Sequence, residues 1–228
     1  MELFYHFVNL LFPQTCSACN EPLLKTEKIL CTNCLINLPK TEIGFSNSQK
    51  LEYRFLGKVE IKAVYSYLKY SKGGNVQNLL QNLKYENRQD IGLFMGKLFG
   101  SQLIKSNNSL DVDVLIPIPL HKNKLLIRGF NQSELIAQGL SEVTNVPCET
   151  SAIIRKTATE TQTRKSRLDR FYNVEDVFET QDILKIKGQK IGLVDDVLTT
   201  GATMEVCAAC LLEAGAKEIT IFSLASAI

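Results

Sequence analysis

The sequence predicts an α/β protein, a parallel doubly wound sheet with a small N-terminal zinc-ribbon-like module ahead of it. Three observations carry that expectation. Residues 191–194 (IGLV) form an apolar run suited to a strand buried on both faces. It leads through Asp195 and Asp196 and a turn of small and hydroxyl residues into a helix at 204–214, with Gly215 as its C′ residue. Residues 112–116 (VDVLI) repeat the pattern: a strand, a proline-fixed loop at Pro117 and Pro119, then a helix at 130–140. Near the start, Cys16-x-x-Cys19 and Cys31-x-x-Cys34 place two thiolate knuckles side by side.

A chain of 228 residues holds one α/β domain and a small appendage. With 26 Lys and Arg against 24 Asp and Glu, the whole molecule is no polyelectrolyte binder. No apolar run reaches the length of a membrane span. Residues 2–12 read as a short amphipathic helix ended by Pro13, without the basic start or small-residue cleavage site of a signal peptide. Seven cysteines, four of them in paired knuckles, suit reduced cytoplasm and metal better than a disulfide framework.

Taken in order, residues 1–40 are expected to hold the N-terminal helix and the metal module. Cys16, Cys19, Cys31 and Cys34 make an S₄ set for structural Zn²⁺, since four thiolates leave no open position for catalysis. Four ordinary cysteines, or a redox dithiol, are the alternatives. Residues 41–58 are expected to link the module to the main domain, 59–228. That domain opens with a β-rich stretch at 59–67, then helices at 76–83 and 91–105. Short strands follow at 151–154 and 173–178, and residues 218–225 close the sheet. Residues 155–170 carry six basic residues against two acids among many Thr and Ser, which describes either a mobile basic loop or a solvated surface. Cys148, Cys207 and Cys210 read as small core residues.

The stretch 190–203 (KIGLVDDVLTTGAT) carries the chemistry. A strand, a small-residue turn and a helix start offer free backbone N–H groups and the positive end of a helix dipole, which suits a phosphate. Adjacent carboxylates beside a phosphate make sense where the ligand also carries vicinal hydroxyls, for which an ionised carboxylate is a pure acceptor. A ribose 5-phosphate has both features; a solvated acidic pair on an ordinary βα turn is the plain alternative. Too little chain follows Asp196 for a receiver domain, and adjacent acids do not fit the D-x-D-x-T of a haloacid-dehalogenase nucleophile.

VDDVLTTGAT resembles the signature by which type I phosphoribosyltransferases bind 5-phosphoribosyl 1-pyrophosphate (PRPP). With PIPLHKNKLLIRGFNQSELIA at 117–137, TQTRKSRLDRFYN at 161–173 and the four-cysteine module, nearly the whole chain resembles the ComF family. That resemblance implies a type I phosphoribosyltransferase fold. It places PRPP on Asp195, Asp196, Val197, Leu198, Thr199, Thr200, Gly201, Ala202 and Thr203. Leu120, His121, Lys122, Arg128 and Gly129 would form the pyrophosphate loop, with Lys124 adding charge. The loop bearing Gln162, Arg164, Lys165, Arg167 and Arg170 would close over the reacting centre. Asp195, Asp196 and Arg128 would be the catalytic residues, Arg128 because a planar guanidinium grips phosphate in two places. His121 reads equally as a turn histidine, and Lys84, Tyr85 and Arg88 as a site-mouth segment or a basic turn. The implied reaction is Mg²⁺-dependent transfer of the phosphoribosyl group to a nitrogen nucleophile. The alternative is single-stranded DNA binding in DNA uptake, together with competence helicase machinery and with PRPP regulatory or vestigial.

Overall fold

The computed structural model describes residues 13–41, 45–85, 88–106, 110–156 and 177–227. The N-terminal amphipathic segment and most of the basic stretch, including Gln162, Arg164, Lys165, Arg167 and Arg170, lie outside the described residues.

Four parallel strands make the main sheet: β1 (Ala63–Tyr70), β2 (Val114–Pro117), β5 (Lys190–Leu198) and β6 (Glu218–Ala227), in the order β1-β6-β5-β2. A separate antiparallel pair joins β3 (Ile153–Arg155) to β4 (Phe178–Thr180). The central strands are apolar on both sides, as a parallel sheet covered on both faces requires. β5 is buried from Ile191 to Val194, and β6 from Ile219 to Ser226.

Helices cover the two faces. On one lie α3 (Asn75–Tyr85), α4 (Gln89–Lys105) and α6 (Gln132–Thr144), which share a core with Tyr67, Val194 and Phe222. On the other lie α2 (Phe45–Glu52) and α7 (Ala202–Glu213), packed around Val64, Ile191 and Ile221. The main domain is therefore doubly wound. α4 and α6 cross where Gly96 meets Gly139. A Cβ on Gly96 would come within 2.3 Å of the Ile136 carbonyl, so only glycine permits this approach.

Several expected boundaries move. β1 starts at Ala63, later than the 59–67 reading. β5 does not stop before the acids: it runs on to Leu198, because β6 continues alongside and pairs Asp195 with Ser223 and Leu198 with Ser226. The stretch expected to connect module and domain is folded. It contains α2, and Leu51 and Phe55 are buried. Part of the expected pyrophosphate loop is helical, as α5 (Lys122–Arg128), capped by the His121 side chain and ended by Gly129 at φ +76°. The cysteine module, with the short α1 (Thr32–Ile36), packs into the α3 face through Cys16, Ala18 and Leu30. No helix among the described residues is long and apolar enough to cross a membrane.

Candidate functional site

Ligands of parallel sheets bind beyond the carboxyl ends of the strands, and there the chain gathers its chemistry. β5 delivers Asp195 and Asp196. Asp195 Oδ1 accepts a hydrogen bond from Ser133 Oγ at 2.8 Å, at the start of α6, and another from the Asp196 N–H at 2.8 Å. Asp196 Oδ2 pairs with Lys84 Nζ at 2.7 Å, from the last turn of α3. Burial first, and then the Asp196 charge, push the Asp195 carboxyl up to about 7, against the pull of Ser133, the Asp196 amide and Lys84. Lys84 thus pairs with Asp196, while Asp195 is held by Ser133.

The turn after the acids is shaped from behind. Ser223, fully buried, accepts from the Leu198 N–H at 2.9 Å and donates to the Ala225 carbonyl at 2.6 Å. Arg54 donates to the carbonyls of Leu198, Thr199 and Ala227. With those carbonyls turned back onto Arg54, none of the described residues accepts a hydrogen bond from the N–H of Thr199, Thr200, Gly201 or Thr203. Gly201 caps α7 at φ +89°, and a Cβ there would lie 3.1 Å from the Phe55 ring. Thr199, Thr200, Ala202 and Thr203 are exposed, while Val197 is half-buried and Leu198 buried. The result is a set of amides at a helix start that no described residue engages, the arrangement that accepts an anion.

Next to the acids, Ile118 N donates to the Val194 carbonyl at 2.9 Å, so the chain leaving β2 passes beside β5. Asn131 caps α6 and donates to the Ile118 carbonyl at 3.0 Å, which fixes the return of the loop. Arg128 donates to Gln132 Oε1 at 2.8 Å and stands over the Tyr85 ring at 5.5 Å. Lys84, Tyr85, Leu126, Ile127, Arg128 and Gly129 line a cleft of about 350 Å³. Leu120 and His121 are half-buried at its approach, and Lys122 and Lys124 are exposed. The His121 ring accepts from the Asn123 N–H at 3.2 Å and serves as a helix cap.

Sequence reasoning missed Ser133, Arg54 and Ser223. Ser133 lies inside a quoted motif, yet its link to Asp195 spans 62 residues and needs the fold. Arg54 stands alone in a stretch without periodicity, 144 residues from Leu198, and nothing in the sequence marks it.

The cysteine module forms a second centre. The Sγ atoms of Cys16, Cys19, Cys31 and Cys34 all lie within 4.8 Å of one another. Cys19 Sγ is 3.8 Å from Cys31 Sγ, the edge of a tetrahedron with Zn–S bonds of about 2.3 Å. All seven cysteines are free thiols. Although burial opposes it, backbone N–H groups of Cys31, Cys19 and Ala18 bring the Cys16 thiol down to about 7, and burial first of all pushes Cys34 up. Four convergent thiols, with further N–H donors on their sulfurs, fit a structural Zn²⁺.

A phosphoribosyl transferase domain family model matches residues 129–227, which contain α6, β5, the turn and α7. The "DNA utilization protein YhgH" of Shigella flexneri is 28% identical over 212 residues, covering 92% of this chain and 88% of that protein. "Competence protein F" of Haemophilus influenzae is 30% identical over 153 residues, covering 65% of this chain and 67% of that protein. The chain belongs to the ComF family. "Competence protein ComFC" of Bacillus subtilis is 39% identical over 112 residues, 49% of this ComF-family chain and 43% of that one. Among solved structures, a glutamine PRPP amidotransferase from Bacillus subtilis, complexed with ADP and GMP, is similar at a TM-score of 0.46 and 22% identity. The match covers 63% of this chain and 30% of that one.

Proposed function

We propose that this chain binds PRPP with Mg²⁺ and transfers its phosphoribosyl group to a nitrogen nucleophile. The observation that supports this most is that, among the described residues, nothing accepts from the amides of Thr199–Gly201 and Thr203, close in sequence to the carboxylate pair on β5. The amides and the Thr199, Thr200 and Thr203 hydroxyls hold the 5-phosphate. Asp195 and Asp196 accept from the ribose diol, and Ser133 keeps the first of them oriented. Arg128 and Lys84 face the pyrophosphate, with Leu120–Gly129 as its approach. In the reaction the C1–oxygen bond to pyrophosphate breaks and a C1–nitrogen bond forms, by inversion. The leaving group carries away its bonding pair, and Arg128 and Lys84 offset that charge. Mg²⁺ bound with PRPP supplies further neutralisation of the pyrophosphate, and Asp195 and Asp196 are the carboxylates that would hold it, largely through water. Zn²⁺ on the four cysteines holds the N-terminal module. Free thiols suit a reducing compartment, which supports a cytoplasmic setting.

The test is thermal shift with PRPP and Mg²⁺, followed by a nucleobase panel scored for pyrophosphate release. PRPP at a hundred times its Kd stabilises the fold by about 2.7 kcal/mol, a rise of several degrees. No shift with PRPP and Mg²⁺ sinks the reading.

A second reading, single-stranded DNA binding, is favoured by one feature. Tyr85 is 70% exposed beside Lys84 and Arg128, a basic cleft with a ring on which a base can stack. DNA affinity would then fall steeply with salt, and fall again when Arg164, Lys165 and Arg167 become Ala. Affinity that is flat under both changes removes this reading.

A further inference from the structure

Helix α3 touches both centres. Asn75, Asn78 and Asn82 recur at helical spacing and share one face. Asn78 Nδ2 donates to the Ala18 carbonyl at 2.9 Å, and Asn82 Nδ2 to the Ser17 carbonyl at 3.0 Å. Asn75 Nδ2 reaches Cys34 Sγ at 3.8 Å. Ser17 and Ala18 are the two residues between Cys16 and Cys19, so these bonds grip the tip of the first knuckle. Ala18 is fully buried, and Val76, Leu79, Leu80 and Leu83 seat the helix in the shared core. One residue past this apolar stripe, the same helix presents Lys84 to Asp196 at 2.7 Å and Tyr85 to Arg128 at 5.5 Å.

We infer that the metal-bound knuckle positions α3, and through it Lys84 and Tyr85, so that Asn78 and Asn82 are positioning residues for the PRPP site. This rests on the PRPP reading above. The physical reason is that a knuckle loop keeps a fixed shape only while its thiolates are held together. Two carbonyls of that loop are the acceptors that hold the helix in azimuth and height. Release of the metal frees the loop and loosens the helix end, while the strand that carries the acids stays paired on both sides.

The test uses the full zinc-loaded chain and the Asn78→Ala, Asn82→Ala double variant, with three readouts: zinc content, hydrogen exchange across residues 79–85, and Kd for PRPP with Mg²⁺. The variant should retain one zinc per chain, exchange faster at 79–85 and bind PRPP at least about fivefold more weakly, the lower end of ordinary site-to-site coupling. A zinc-loaded variant with wild-type exchange and wild-type Kd overturns the inference. So does a variant that holds no zinc, because the asparagines would then serve the module alone. Should the wild type bind no PRPP, the proposed function falls. Exchange at 79–85 then still decides the coupling, faster supporting it and unchanged overturning it. A chelator titration of the wild type gives a second arm. Exchange rising at 79–85 while β5 stays protected supports coupling. Simultaneous loss of protection throughout overturns it, since the module would then hold up the whole fold.

Discussion

The two ends of the sheet handle charge in opposite ways. At the amino ends of the strands, Lys62 pairs with Asp111 at 2.7 Å and with Glu218 at 2.6 Å, and Lys190 pairs with Asp111 at 2.5 Å. Lys190 first, and then Lys62, pull Asp111 down to about 2, and their own values rise in return. Asp111, Lys62 and Lys190 are each driven toward the charged form. At the carboxyl ends, Lys84 pairs with only one of two adjacent acids, Asp196, and burial and the neighbouring acid push Asp195 up to about 7. Matched charges at the exposed edge satisfy one another and leave nothing for a ligand to complete. Mismatched charges at a buried edge, beside amides that no described residue engages, are what the proposed PRPP site rests on.

The same contrast gives opposite pH dependences. Asp111 is depressed in the fold, so its contribution is present above the ordinary carboxylate range and is lost as pH falls toward 2. Asp195 is raised, so its contribution is full below about 4 and is lost as pH climbs through about 7. Replacing Asp195 with Asn keeps an oxygen for Ser133 and for the Asp196 amide but removes the charge. PRPP affinity should fall by roughly a hundredfold or more, about two charge-assisted hydrogen bonds. The same variant should be more stable than wild type at pH 8 by about 1–3 kcal/mol, with the gap closing toward pH 4. Denaturant melts at several pH values check this. A variant less stable at pH 8 would make the acid structural.

Next in size is Ser133→Ala. Loss of its hydroxyl donor raises Asp195 further, since that bond favours the ionised carboxylate. PRPP affinity should climb with pH as Asp195 ionises. In the variant that climb should move up by as much as about one pH unit, so binding at pH 7 weakens up to roughly tenfold. An unmoved profile would separate Ser133 from the titration. The smallest effect belongs to the other edge. Asp111→Asn should leave PRPP affinity unchanged and the thermal midpoint nearly so, with any loss erased by salt, because exposed pairs are screened. A large loss of stability there would erase the contrast between the edges.

Much of this was legible in the sequence, for definite reasons. The run 191–194 and Gly201 announce strand and helix start through local chemistry alone. The C-x-x-C pairs announce a convergent four-thiol cluster through spacing. Long-range geometry was not legible. Strand β5 carries on through charged Asp195 and Asp196 because β6 is there to pair with it, and hydropathy cannot show that. Helix α5 buries none of its residues, so it has no apolar stripe and reads as a loop. Arg54 acts across the fold on three carbonyls from a stretch that looked like a connector.

The most direct test of the account is calorimetric titration of PRPP with Mg²⁺ into three proteins at pH 7.5: the wild type, the Asp195→Asn, Asp196→Asn double variant, and Asp111→Asn. The account predicts saturable binding to the wild type, the same binding to Asp111→Asn, and none to a still-folded double variant. Undiminished binding in the double variant would contradict it.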